Sequence, residues 1–253
     1  MKLSKIKHGL EHPDRAIRWV LGGEKGKAKV AYSYITDYYK DRTPLKALSL
    51  FLNKDLTKFH NELLMNNQYL QLEKNIAENW KNMWLFGFTQ ARLLYVITRV
   101  FKPETVIETG VASGLSSFIF LLAFTKNNKG HLFSIDLPPK HRDHLPSEKT
   151  IGWLVPNSLR DRWSLQLGDS RKILPKILNE LKGCDLFLHD SDHSYDHMIW
   201  EFETVWPFLK QTLLVDDINA NNAFDFFSKK HECRSLKISE RMGMMLLPVK
   251  KES

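Results

Sequence analysis

From about residue 90 the chain repeats one pattern: a short β-rich run, then a helical stretch. The runs are Thr105–Ile107, His131–Ile135, Trp163–Leu167, Leu186–His189 and Thr212–Val215. Helical patterns at Ser116–Phe124, Arg171–Leu181 and Asp196–Phe208 lie between them, and Ala223–Lys230 follows the fifth run. Strands separated by helices pair through crossovers, so the sheet is expected to be mainly parallel and covered on both faces. A helix at Thr89–Phe101, stopped by Pro103, precedes the first strand. The last two runs, Ser235–Ile238 and Met244–Pro248, flank Arg241-Met242-Gly243 and read as an antiparallel hairpin. The expectation is a seven-stranded α/β sheet that ends in that hairpin.

The first third is different. Residues 1–88 show no strand alternation. Arg15–Leu21, Leu45–Leu52 and Leu56–Leu72 carry apolar residues at helical spacing, and Tyr32, Tyr34, Tyr38 and Tyr39 form an aromatic cluster. Two regions are therefore expected: a helical one over 1–88, acting as a packed cap, a substrate lid or a dimer surface, and an α/β domain over 89–253. Hydrophobic residues make up 43% of the 253, enough for a full core. No run approaches the roughly 18 apolar residues of a membrane span, and the charged start Met1–His8 lacks the apolar core of a signal peptide. A cytoplasmic protein without membrane attachment is expected. Cys184 and Cys233 are not spaced as a metal pair and read as small hydrophobes. The net charge of +8 is spread along the chain, which favours a solvated basic surface over a nucleic-acid face.

The first strand runs into Glu108-Thr109-Gly110-Val111-Ala112-Ser113-Gly114, and an apolar helix begins at once. Ligands of open α/β sheets bind at the carboxyl ends of strands, and glycines let the backbone approach them. A dinucleotide fingerprint would read G-x-G-x-x-G with no acid ahead of it. Here the spacing is E-x-G-x-x-x-G, and the leading carboxylate suits a cationic ligand better than a pyrophosphate. Further acids end the next two strands: Asp136 after the second and Asp169 after the third. The glycine turn resembles the first motif of the class I methyltransferases, whose sheet is Rossmann-like. The resemblance implies S-adenosylmethionine as cofactor, held by Glu108, Gly110, Gly114, Ser116, Asp136, Asp169 and Asp190. Asp136 would then bind the ribose and Asp169 the adenine amino group.

The most distinctive segment is His189-Asp190-Ser191-Asp192-His193-Ser194-Tyr195, followed one helix later by Val215-Asp216-Asp217. Adjacent strands would bring Asp190, Asp216 and Asp217 together, and three close carboxylates call for a cation or a proton. Oxygen-only ligands suit Mg²⁺. D-x-D-H-S-Y with a later D-D resembles the metal-assisted small-molecule O-methyltransferases, and most of all a broad bacterial group that carries D-x-D-H-S-Y. The resemblance covers about residues 90–250. It implies Asp190, Asp216 and Asp217 as metal ligands. His193 is the candidate base, with a structural role at the helix start as the alternative; Asp190 is the second catalytic candidate, and Asp192 is a substrate contact or orients His193. The long connection Leu137–Asp161 contains Gly152-Trp153-Leu154-Val155-Pro156, similar to an insertion of the same group, and reads as a lid or as a surface loop. Asn219, Asn221 and Asn222 are either substrate contacts or polar filler.

The expected function is O-methylation of a small molecule, such as a sugar or secondary metabolite, with S-adenosylmethionine and Mg²⁺ assistance; a homodimer is compatible with this. The alternatives are a metal-independent methyltransferase acting on RNA or protein and a NAD-dependent dehydrogenase.

Overall fold

The computed structural model describes residues 42–79, 87–138 and 149–247. The expected helix at Arg15–Leu21 and the tyrosine cluster lie outside them. Helices α1 (42–52), α2 (Thr57–Leu64) and α3 (Asn67–Asn79) lead to α4 (Phe88–Phe101). The α/β portion then runs β1 (Thr105–Thr109), α5 (Leu115–Asn127), β2 (His131–Asp136), a 3₁₀ turn (Asn157–Arg162), β3 (Trp163–Leu167), α6 (Ser170–Leu181), β4 (Cys184–His189), α7 (Tyr195–Val205) and β5 (Leu209–Val215). It closes with α8 (Ala223–Lys230), β6 (Arg234–Lys237) and β7 (Gly243–Leu246).

The seven strands form one sheet in the order β3-β2-β1-β4-β5-β7-β6. The first five pair in parallel, and β7 runs antiparallel to both β5 and β6. This is the expected fold, C-terminal hairpin included. Strand order reverses between β1 and β4, so the ligand crevice of such a sheet opens there, at the carboxyl ends.

Alternation along the strands divides the core into two layers. Val106, Leu186, Leu188 and Leu214 face α4 and α5, whereas Ile107, Phe187, Leu213 and Val215 face α6, α7 and α8. Every residue of α5 from Leu115 to Phe124 is buried, which explains why this helix is apolar all round. Leu45, Leu48, Leu56, Phe59 and Leu63 belong to the same core as α4 and α5, so α1 and α2 are packed onto the sheet's back layer. Ion pairs fix this layer: Arg99 to Glu62 at 2.7 Å and Arg92 to Glu73 at 3.0 Å.

The single helix expected over Leu56–Leu72 is broken in two. The Asn66 side chain accepts from the backbone N–H groups of Gln68 (3.0 Å) and Tyr69 (3.1 Å), which caps a new helix and ends the old one. Pro103 does stop α4; Lys102 turns into the left-handed region just ahead of it. Among the described residues no helix is long and apolar enough to cross a membrane.

Candidate active site

The turn after β1 is built by backbone geometry that glycine permits. Gly110 has φ +84° and Gly114 has φ +90°; a Cβ on Gly110 would lie 1.9 Å from the carbonyl oxygen of Asp190. Sheet-like hydrogen bonds continue past the strand ends and stack the loops in register: Gly110 N–H to Ile135 O (2.9 Å), Asp190 N–H to Thr109 O (3.0 Å) and Asp216 N–H to His189 O (2.9 Å).

Glu108 lies inside this assembly. It is fully buried. Ser116 donates to Oε2 at 3.0 Å, Ser134 donates to Oε1 at 2.7 Å, and Ser117 donates to Oε1 as well. Trp163 Nε1 donates to Ser134 in turn, at 2.7 Å. Glu108 and Ser116, expected as direct cofactor contacts, thus tie β1, β2 and the start of α5 together. The physical reason is strand alternation: Glu108 shares a face with Val106, toward α5. Burial pushes the Glu108 carboxyl up to about 7, against the three serine hydroxyls that oppose the shift.

That shift makes a prediction. A carboxyl with a folded pKa of about 7, against an ordinary 4.5, holds its proton more tightly in the folded state. Its contribution to stability is therefore full below about pH 4.5 and is lost as pH rises through 7, a swing of about 3 kcal/mol. Glu108→Gln should remove this slope, which urea unfolding at about pH 5 and pH 8 reads directly. An unchanged slope would show that Glu108 is not its source.

Asp136 is also turned to the loop. Its Oδ2 accepts from the N–H groups of Val111 (2.9 Å) and Ala112 (2.8 Å), and Oδ1 from Leu137 N–H (2.6 Å). The expected ribose acid is thus held by the glycine turn. Asp169 sits exposed at the start of α6 and caps it by accepting from Arg171 N–H at 2.9 Å. Leu137 and Leu167, large and exposed, flank these two acids at the ends of β2 and β3.

Residues 149–161 are fastened to the glycine turn; 139–148 lie outside the described residues. Gly152 N–H donates to Ala112 O (2.9 Å) and Leu154 N–H to Ser113 O (3.0 Å), while Ile151, Leu154 and Val155 are buried. The Arg160 guanidinium clamps the segment through Val155 O at 3.1 Å.

The β4 and β5 loops do bring Asp190, His193, Asp216 and Asp217 together. His193 Nε2 lies 3.7 Å from Asp190 Oδ1, and His193 Nδ1 lies 3.8 Å from Asp217 Oδ2. Asn221 fixes the loop by donating to His193 O at 2.8 Å while accepting from Ala223 N–H at 2.8 Å. Asn221 is therefore a staple of the loop. Asp192 caps the local turn through Ser194 N–H.

Electrostatics at the cluster follow from crowding. Burial and the charges of Asp216, Asp217 and Glu108 push Asp190 well above the usual carboxylate range, against the pull of Arg241. Burial pushes Asp216 up to about 6, and Arg241 opposes this. Burial and the nearby His189 lower His193 to about 4, so its ring is neutral at neutral pH.

The expected Mg²⁺ site is not met by this donor set. Arg241 Nε donates to Asp217 Oδ1 at 2.5 Å and Nη2 to Asp216 Oδ2 at 3.1 Å. The guanidinium already pairs with both members of the aspartate pair. Among the described residues no group of three or more His, Cys, Asp or Glu side chains is arranged to hold a metal ion.

Beneath this cluster lies a network that the sequence reading missed. Fully buried Glu201 of α7 accepts from Thr109 Oγ1 (2.6 Å) and Ser191 Oγ (3.0 Å) and pairs with His189 Nδ1 (2.7 Å) and His197 Nε2 (3.0 Å). Its only sequence signal was the i,i+4 spacing of His197 and Glu201 on the inner face of a helix.

The sheet order, with its antiparallel C-terminal pair, is the fold that the resemblance to the class I S-adenosylmethionine-dependent methyltransferases implied. Residues 107–218 match the family model described as "Methyltransferase domain". No curated protein sequence matches this one. Several solved structures are similar in fold. The SAH-bound methyltransferase PaMTH1 of Podospora anserina has a TM-score of 0.55 at 12% identity, over 73% of this chain and 89% of that one. The O-methyltransferase of Bacillus cereus in complex with SAH has a TM-score of 0.53 at 16% identity, over 72% and 91%. The SAM complex of the O-methyltransferase TomG from Streptomyces achromogenes, involved in tomaymycin synthesis, has a TM-score of 0.53 at 12% identity, over 73% and 91%.

Proposed function

We propose that this chain transfers the methyl group of S-adenosylmethionine to a hydroxyl oxygen of a small molecule. The observation that carries the reading is the stacking of the Gly110 turn directly on the Asp190–His193 loop, so that a methyl donor held over the turn would lie beside a candidate base. O-methyltransferases among the similar folds support an oxygen acceptor.

The cofactor would lie over the turn, its adenine against exposed Leu137 and Leu167 and near Asp169. Gly110 and Gly114 let it approach the backbone, while Glu108, Ser116 and Asp136 hold the turn in shape. The acceptor oxygen attacks the sulfonium methyl carbon in line. The new C–O bond forms as the C–S bond breaks, and its electron pair returns to sulfur. The hydroxyl proton goes to His193. One feature suits His193 to this: its Nε2 is buried without a hydrogen-bond partner among the described residues, which leaves it open to the acceptor hydroxyl. Asp190 and Asp217 flank the imidazolium that results.

The test combines binding and turnover. S-adenosylmethionine should bind calorimetrically, and methyl-labelled cofactor should label a member of a hydroxylated small-molecule panel. His193→Ala should lower kcat about 10²–10⁴-fold and leave cofactor affinity within about threefold. No cofactor binding at about millimolar concentration, which corresponds to only about 4 kcal/mol, would sink the reading. Unchanged kcat in the variant would remove His193 as base.

A further inference from the structure

Arg241 stands in the tight turn between β6 and β7. Because β7 pairs antiparallel with β5, with Gly243 opposite Val215, this turn returns to the carboxyl end of β5. The backbone secures it there: Ile218 N–H donates to Arg241 O at 3.0 Å. The side chain then needs no further reach. It contacts both members of the aspartate pair, Asp217 at 2.5 Å and Asp216 at 3.1 Å. Asp217 is held at φ +49°, a left-handed conformation that a non-glycine residue rarely adopts, and in this conformation it meets the guanidinium.

We propose that Arg241 is the resident cation of this carboxylate cluster, standing where a divalent ion would otherwise sit. Asp216 and Asp217 are thereby fixed without metal, and the cluster shapes the acceptor side of the site as a metal-free unit. Two observations carry this. One oxygen of each carboxylate, Asp216 Oδ2 and Asp217 Oδ1, already accepts a charge-assisted hydrogen bond from the same guanidinium, while Asp216 Oδ1 is buried without a partner among the described residues. A divalent ion on the same pair would also face a guanidinium within contact distance, and like charges at that separation repel. Arg241 is a positioning residue here: it acts through Asp216, Asp217 and their neighbour His193. The catalytic consequence rests on the methyl-transfer reading, whereas the binding consequence does not.

The experiment titrates Mn²⁺ alone into the full chain, by calorimetry and by the EPR signal of free Mn²⁺. Wild-type protein should bind none up to about 1 mM, the affinity range left to weakly held ions. Arg241→Ala frees both carboxylates and should bind Mn²⁺ at least about tenfold more tightly than wild type, a gain of about 1.4 kcal/mol. Arg241→Lys, which keeps a cation, should not. Adding Asp216→Asn to Arg241→Ala should abolish the gain. Micromolar Mn²⁺ binding by wild type would overturn the proposal without recourse to any variant, and so would an Arg241→Ala chain, folded by circular dichroism, that binds no more Mn²⁺ than wild type. S-adenosylmethionine is titrated separately into the same wild-type sample. Failure there would remove the methyl-transfer reading and leave the Mn²⁺ result intact.

Discussion

Glu201→Ala is expected to remove about 3–5 kcal/mol of folding stability, the cost of leaving a buried charged cluster without one partner. That is a large share of the roughly 5–15 kcal/mol available to a domain. The reason is the number of groups that converge on one side chain. Thr109, Ser191, His189 and His197 all direct polar atoms at Glu201, within 2.6–3.0 Å. Burial alone would raise this carboxyl; the hydrogen bonds from His189 and His197 and the charge on His189 outweigh burial and hold it well below the usual carboxylate range. The hydrogen bond to Glu201 raises His197 in turn, against its burial.

The signs give a pH window. Glu201 contributes fully above its ordinary 4.5, and its contribution is lost as pH falls through its lowered folded pKa. His197 contributes fully below its ordinary 6.5, and its contribution is lost as pH rises through its raised folded pKa. The difference between wild type and Glu201→Ala in urea unfolding should therefore be greatest between about pH 4.5 and 6.5. Glu201→Gln, which keeps one acceptor oxygen, should cost about 2 kcal/mol. A Glu201→Ala loss below about 1 kcal/mol, the worth of one ordinary hydrogen bond, would mean that the network is solvated in the folded state.

This network also marks where the sequence stopped being informative. Strand and helix positions were legible because each element carries its own period: β1 through β5 and the terminal hairpin fall within three residues of the runs read from hydrophobic pattern, the largest difference being the start of β5. The meeting of Asp190, Asp216 and Asp217 was legible because neighbouring parallel strands end side by side. What the sequence did not show was the direction of individual side chains. Glu108 and Asp136 stand at the strand ends where cofactor acids were expected, yet alternation and local hydrogen bonds turn both into the turn's own scaffold. Arg241 was seen only as a hairpin residue. Its role depends on β7 lying beside β5, a pairing across 20 or more residues of chain that no local pattern encodes. Asn66 was hidden for a different reason: an asparagine inside a helical period is compatible with continuation until its side chain caps the next turn.

The largest effect on cofactor binding is expected from Gly110→Ala. The substitution asks for two things that the site cannot give. Its φ of +84° disfavours any Cβ, at roughly 1–2 kcal/mol for an L-residue. The added methyl would also meet the backbone of Asp190, with the carbonyl oxygen at 1.9 Å and its carbon at 2.5 Å. A flexible side chain could move aside; this carbonyl cannot. Asp190 N–H is bonded to Thr109 O, the adjacent His189 O accepts from Asp216 N–H, and Glu201 grips Thr109 and Ser191 on either side. The turn must therefore leave the β4 loop, opening the gap between the donor site and His193. S-adenosylmethionine affinity should fall at least about 100-fold, near 3 kcal/mol, while circular dichroism keeps its helical signal. Ala112 supplies the control. It already sits at φ +47°, in the same turn and with its methyl accommodated, so Ala112→Gly adds no bulk and relieves left-handed strain. Its affinity should stay within about threefold of wild type, under 1 kcal/mol. If Gly110→Ala bound the cofactor as Ala112→Gly does, the cofactor would have to lie away from this turn.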